Sequence, residues 1–276
     1  MSLCNATMTE QSATRLSRAV QELGAPLLGI AAYFYDPIFV EIAAKLGFRV
    51  LWIEMEHAHI TFAETADLCR IAGGLGMLTM IRIPDNRRES VLKAAECGPD
   101  ILDLPMADSP EIVRAFIQHA RFRPAGARGY FSVPRALDYG ITDSLPAAQQ
   151  KVNSELCLMI QIETEEAVNY ADELCAIEGI DIFIGPADLS ASLGVSGQTT
   201  HPKVAEAVQR ILRSARRHKK LVAVGAPLPD VQFWADQGID LLFCGNDIAC
   251  LRIGAQTILK QLNAVIQNRK ASPPTA

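Results

Sequence analysis

Two carboxylates and two imidazoles crowd the stretch Ile53-Glu54-Met55-Glu56-His57-Ala58-His59, directly behind the apolar run RVLW at 49–52. A charged group loses hydration on burial, so such a cluster calls for a metal, for mutual pairing or for a catalytic task. Arg82 ends the apolar run TMIR just ahead of Pro84. A guanidinium there can clamp a carboxylate or meet a developing oxyanion, and equally can serve as one half of a structural ion pair. Gln161 and Glu163 end LCLMIQIE (156–163), and Asp188 stands in GPADLS (185–190). Glu163 and Asp188, with water and substrate oxygens, suit a hard divalent ion such as Mg²⁺, Mn²⁺ or Co²⁺, whereas zinc would want more His or Cys. The bland alternative is that Glu163 caps the next helix and Asp188 forms a turn. Asp103, inside ILDLPM, is an odd strand residue without an assigned role. Imine chemistry needs a lysine inside a barrel, and none of the eight lysines falls in an apolar run.

The elements that must position these groups repeat along the chain. Apolar runs at 27–32, 49–55, 78–83, 101–106, 156–163, 180–186, 221–226 and 241–245 alternate with segments of helical period. The runs are apolar throughout, as parallel strands covered on both faces are. In TEEAVNYADELCA, Ala167, Val168, Ala171, Leu174 and Cys175 form one helical face. No glycine-rich turn follows the first run, which argues against an open dinucleotide-binding sheet. The reading is an α/β protein, a (β/α)8 barrel over 1–268 in one domain. An opening helix at about 12–23 closes its bottom, and a disordered tail follows at 269–276. The stretch 128–154 lacks a sustained period; it is expected to emerge on the C-terminal face as a lid or subunit contact, or to be a surface excursion with a short helix in it.

Composition excludes several classes. A net charge of −5 and 6% aromatic residues leave neither a basic surface nor a stacking platform for nucleic acid. No apolar run approaches the length of a membrane span, and the N-terminal stretch has no apolar centre like that of a signal peptide. The seven cysteines are odd in number and contain no CxxC, as expected of buried thiols in a reducing compartment; the expectation is a cytoplasmic protein.

Taken together, IGPADLSASLG (184–194), QIET (161–164), RPAGARG (123–129), EHA (56–58) and His201-Pro202 resemble the HpcH/HpaI aldolase family, the class II pyruvate aldolases related to citrate lyase β-type barrels. The similarity spans roughly 15–265. It implies a barrel that assembles as a homo-oligomer, a hexamer with exchanged C-terminal helices. It also implies divalent-metal-dependent cleavage of a 4-hydroxy-2-oxo acid to pyruvate and an aldehyde. Carried over by motif, Glu163 and Asp188 hold the metal, Arg82 stabilises the enolate, and His57 transfers the proton with Glu54 orienting it. Glu56 supports them from behind. Gln161, Gly185, Pro186 and Ala187 line the substrate, with backbone N–H groups of 185–188 helping to hold it.

The family generally writes Asp-Gly-Glu-His-Ala-Pro where this chain has Glu54-Met55-Glu56-His57-Ala58-His59, and many relatives carry Trp where Ala31 aligns. Met55, His59 and Ala31 are therefore the expected specificity positions on the aldehyde side. His59 has three open roles: touching substrate, extending the His57 network or beginning the next turn. The competing readings are an oxaloacetate-type decarboxylase on the same site and a non-catalytic 2-oxo acid-binding barrel.

Overall fold

The computed structural model describes residues 13–24 and 26–271. Eight parallel strands close into a barrel in chain order. They are β1 Leu27–Ala32, β2 Val50–Glu54, β3 Leu78–Arg82, β4 Ile101–Leu104, β5 Cys157–Ile162, β6 Asp181–Ile184, β7 Val222–Ala226 and β8 Leu241–Asn246. β8 pairs back onto β1. Alternation along each strand divides the core in two. One set (Val50, Trp52, Met80, Ile101, Cys157, Met159, Phe183, Phe243) fills the barrel. The other (Leu51, Ile53, Ile81, Leu102, Ile160, Ile184) faces the surrounding helices. Trp52 meets Phe183 and Phe243 edge-on at 5.2 Å. Glycine makes room for this plug: a Cβ on Gly29 would lie 2.3 Å from the Phe243 ring.

The opening helix is Arg15–Leu23, capped by Thr14; residue 12 of its expected span lies outside the described residues. Leu16 joins the interior cluster and closes the N-terminal end, and Arg15 bonds Asp100 at 3.0 Å. The C-terminal helix Asp247–Ala271 continues past the expected boundary at 268, and residues 272–276 of the expected tail lie outside the described residues.

One expectation fails on topology. The stretch 128–154 joins the end of helix Pro110–Ala120 to the start of β5, so it leaves and re-enters at the N-terminal end of the barrel. The Arg128 N–H donates to the Arg121 carbonyl, and Arg135 donates to the carbonyls of Cys97 and Gly98, where helix Arg88–Glu96 ends. Such a connection runs from a helix to a strand, whereas lids over a barrel mouth follow strands. It also holds a helix, Leu145–Glu155.

Candidate active site

Four inward-facing rows, those of β2 to β5, turn polar at their C-terminal ends. Two residues beyond Trp52 comes Glu54, beyond Met80 comes Arg82, beyond Ile101 comes Asp103, and beyond Met159 come Gln161 and then Glu163. Register places Glu54 beside Arg82, and Arg82 beside Asp103. The aromatic plug is the floor of this layer, with the Arg82 guanidinium 5.1 Å over the Trp52 ring.

Glu54 is fully buried and its carboxylate has three donors. Oε2 accepts from Arg82 Nε at 2.6 Å, while Oε1 accepts from the backbone N–H groups of Glu56 at 2.7 Å and His57 at 3.0 Å. It therefore fixes the turn that carries His57 and fixes Arg82, and does not orient the imidazole as expected. The reason is reach: an inward carboxylate one layer down meets the backbone of the following turn before any side chain above it. Glu56 is the acid near the imidazole, with Oε2 3.8 Å from His57 Nε2 and 3.2 Å from Arg82 Nη1. Burial pushes the Glu56 carboxyl above its ordinary range, against the pull of Arg82 and His57. The His57 side chain is 59% exposed at the rim.

Arg82 is the hub. Burial alone would lower its pKa, but Glu54, Glu56 and Asp103 raise it, so it stays cationic. Nη1 also reaches Gln161 Oε1 at 3.4 Å. Nη2 has no partner among the described residues and is left for a ligand oxygen. Gln161 in turn donates to Asp103, whose other oxygen is buried without a partner. Burial drives the Asp103 carboxyl well above the usual carboxylate range, with Glu163 and Glu54 adding to it.

Glu163 is 2% exposed, and Oε1 accepts the Met106 N–H at 2.7 Å while Oε2 is buried with no partner. Burial raises its pKa to about 7, and the nearby Asp188 carboxylate contributes. Both bland readings give way here. Thr164, not Glu163, caps the following helix by accepting from Ala167, and the turn after Asp188 is tied by Ser190 instead. Gly185 contributes space rather than a donor. A Cβ there would lie 2.4 Å from Glu163 Oε2, and its N–H is already given to the Ile162 carbonyl. Pro186 has no N–H, so Ala187 and Asp188, exposed on the first turn of helix Pro186–Ser192, carry the free backbone donors. Among the described residues no three His, Cys, Asp or Glu side chains converge as a ready-made metal cage. An orphaned buried carboxylate oxygen beside a second carboxylate nonetheless fits a hard divalent ion that takes its other ligands from water and substrate.

Met55 does not face the pocket. Strand alternation turns it outward into the barrel–helix core, 8% exposed, where its sulfur accepts from Thr65 Oγ1 at 3.3 Å. Ala31 is buried in the interior layer, and Tyr33, two residues further and just past the end of β1, is half-buried against that layer. Burial and then Glu54 raise the Tyr33 phenol. Asp247, absent from the sequence candidates, accepts the N–H groups of Tyr33 at 2.7 Å and Phe34 at 3.0 Å, fixing that turn. His59 is exposed, and Thr61 caps the next helix. Counting by twos from the strand interior would have found Tyr33 and given Asp103 a place. Nothing in the local sequence signals Asp247.

The pattern of the HpcH/HpaI aldolase/citrate lyase family matches residues 34–259. This chain belongs to that family. It is 30% identical over 251 residues to a hydroxypyruvate/pyruvate aldolase of Delftia acidovorans, covering 90% of this chain and 92% of that one. It is 32% identical over 229 residues to a 2-keto-3-deoxy-L-rhamnonate aldolase of Escherichia coli, covering 82% and 83%. Among solved structures, an HpcH/HpaI aldolase from Desulfitobacterium hafniense superposes with a TM-score of 0.82 at 28% identity, covering 89% of this chain and 95% of the other. The protein is an aldolase-type carbon–carbon lyase. No described helix is long and apolar enough to cross a membrane.

Proposed function

We propose that this aldolase cleaves a 4-hydroxy-2-oxo acid to pyruvate and an aldehyde, with Glu163 and Asp188 holding a divalent ion (Mg²⁺, Mn²⁺ or Co²⁺). When bound, that ion supplies Lewis-acid charge to the carboxylate and keto oxygens of the substrate. The observation that carries the reading is the buried Glu163 Oε2, left without a partner at the C-terminal end of the strand that also presents Gln161, which bonds Arg82. Cleavage breaks the C3–C4 bond, sends the electrons to the 2-keto oxygen and removes the proton of the 4-hydroxyl. Arg82, held cationic by Glu54 and Glu56, meets the developing oxyanion with a donor already aimed, so no reorganisation is required as charge forms. His57 at the rim takes the hydroxyl proton, with Glu56 at 3.8 Å to stabilise the imidazolium. Gln161 is locked between Arg82 and Asp103, and Ala187 and Asp188 offer backbone donors to the carboxylate. Tyr33 and His59 border the aldehyde side.

The test is pyruvate release from a 4-hydroxy-2-oxo acid with and without Mg²⁺, beside oxaloacetate in a parallel arm. Metal-dependent turnover of the hydroxy-oxo acid, lost in His57→Ala, supports the aldolase. Turnover of oxaloacetate alone, indifferent to His57→Ala, would make the protein a decarboxylase. Retained binding without turnover in either arm would make it a binding barrel.

We also propose that a second copy of the chain covers the C-terminal helix. Ile248, Leu251, Ala255, Ile258, Leu262 and Val265 repeat at three- and four-residue spacing yet are all exposed. Leu28, on the outward side of β1 where a barrel helix would pack, is 50% exposed. Helix exchange between subunits, within a hexamer, would bury both.

A further inference from the structure

We infer, on the aldolase reading above, that Asp103 is a positioning residue for carbon–carbon cleavage: it holds the side-chain amide of Gln161 in the one orientation that keeps the Arg82 guanidinium turned toward the substrate oxygen. Inward side chains of alternate strands stack in levels inside a barrel. The aromatic plug shows the step from one strand to the next but one. Phe183 pairs through Ala223 with Leu241, and Phe243, whose ring it stacks on at 6.1 Å, lies two residues further along β8. Phe243 pairs through Gly29 with Val50, and Trp52 lies two residues further along β2. The same step from Trp52, through Met80 and Ile101, arrives at Asp103. From Asp103, through Met159 and Asp181, it returns to Phe183. Asp103 is therefore the fourth member of an otherwise aromatic level. By the same count the level above consists of Ala31, Arg82, Gln161 and Gly225.

An acid in that level is costly. It is fully buried, and one of its oxygens has no partner among the described residues. An apolar side chain of like volume would carry neither penalty. A polar group that breaks the pattern of a core and persists there points to a task. Here the task is written in hydrogen bonds. Gln161 Nε2 donates to Asp103 Oδ2, and Gln161 Oε1 accepts from Arg82 Nη1 at 3.4 Å. A side-chain amide has one donor end and one acceptor end. With an acceptor on one side and a cationic donor on the other, only one of its two orientations satisfies both. Glu54 and Glu56 hold the guanidinium from the β2 side, at 2.6 Å on Nε and 3.2 Å on Nη1, and Gln161 supports it from β5. Without Asp103 the amide is free to turn its NH2 toward Arg82, and two facing donors repel. The guanidinium then leaves the position from which it meets the developing oxyanion. Asp103 lies one level below Arg82 and acts through Gln161.

The experiment compares wild type with Asp103→Leu, Asp103→Asn, Gln161→Leu and the double variant of Asp103→Leu with Gln161→Leu. Steady-state kinetics are measured with Mg²⁺ on a 4-hydroxy-2-oxo acid and on oxaloacetate, and thermal unfolding is followed on the unliganded proteins. Asp103→Leu should lose on the order of tenfold to a hundredfold in kcat on whichever substrate the wild type consumes, with KM changed by less than about threefold. Its thermal midpoint should stay level or rise. Asp103→Asn still offers Gln161 an oxygen and should recover most of the lost kcat. In the Gln161→Leu background, Asp103→Leu should cost less than about threefold more, because the group it acts through is gone. A lower thermal midpoint with intact kcat in Asp103→Leu would make the acid purely structural and overturn the inference. A loss that Asp103→Asn does not recover, or that adds in full to that of Gln161→Leu, overturns it as well. If the wild type consumes neither substrate, the aldolase reading fails separately, and crystal structures of wild type and Asp103→Leu decide the positioning. A displaced Gln161 amide or Arg82 guanidinium then upholds the role of Asp103, and unmoved side chains overturn it.

Discussion

Replacing Glu163 by Gln should stabilise the metal-free protein at alkaline pH. The side chain is almost fully buried, and its pKa stands at about 7 against an ordinary 4.5, chiefly through burial. That separation corresponds to about 3 kcal/mol. Because the folded-state value is the higher one, the folded protein binds this proton more tightly than the unfolded chain. The ionised carboxylate therefore costs stability above pH 7, and the cost is removed as pH falls toward 4.5. Gln is neutral at every pH and still offers an oxygen to the Met106 N–H. Urea unfolding of EDTA-treated wild type and Glu163→Gln at pH 8 and pH 5 isolates the term, since every other titration is shared. Wild type should gain about 2–3 kcal/mol relative to the variant between pH 8 and pH 5. The same proton competes with a metal, so Mg²⁺ affinity of the wild type should fall about tenfold per pH unit below 7. Equal pH dependence in the two proteins would refute the burial argument and with it the poised, metal-ready carboxylate.

Two other outcomes follow from the same geometry. Met55→Ala should cost about 2–5 kcal/mol in denaturant unfolding, as core truncations do, while the ratio of kcat/KM for two aldehydes in the synthetic direction stays constant; a changed ratio with unchanged stability would return Met55 to the pocket. Charge placed on the apolar stripe of the C-terminal helix, as in Leu251→Glu with Leu262→Glu, should reduce the mass measured by light scattering to that of the monomer, and an unaltered mass would remove that stripe from the interface.

The barrel was legible because its signals are local: eight apolar runs, each short enough for a strand and separated by helical period, leave few other architectures. The placement of Arg82, Gln161 and Glu163 was legible for a related reason, since polar groups at the ends of buried runs have one place to point, whereas Asp188 sits exposed on the helix after β6. Finer roles depended on contacts between distant segments. Glu54 meets Arg82 through strand register and the His57 backbone through the turn, so its identity alone could not tell which of its neighbours it holds. Met55 was misplaced because a departure from a family motif says nothing about which face of the strand carries it. The side on which 128–154 emerges depends on its flanks, a helix before and a strand after, and not on its own residues. Asp247 lies more than two hundred residues from the turn it fixes.

The central claim is that Glu163, with Asp188, holds a divalent ion that lets this site form the enolate of a 2-oxo acid. Exchange of the pyruvate methyl protons with solvent, followed by proton NMR in D2O, reads that step without any aldehyde. The account predicts exchange that requires Mg²⁺, stops on addition of EDTA and is lost in Glu163→Gln. Exchange that continues at an undiminished rate in EDTA and in Glu163→Gln would contradict it.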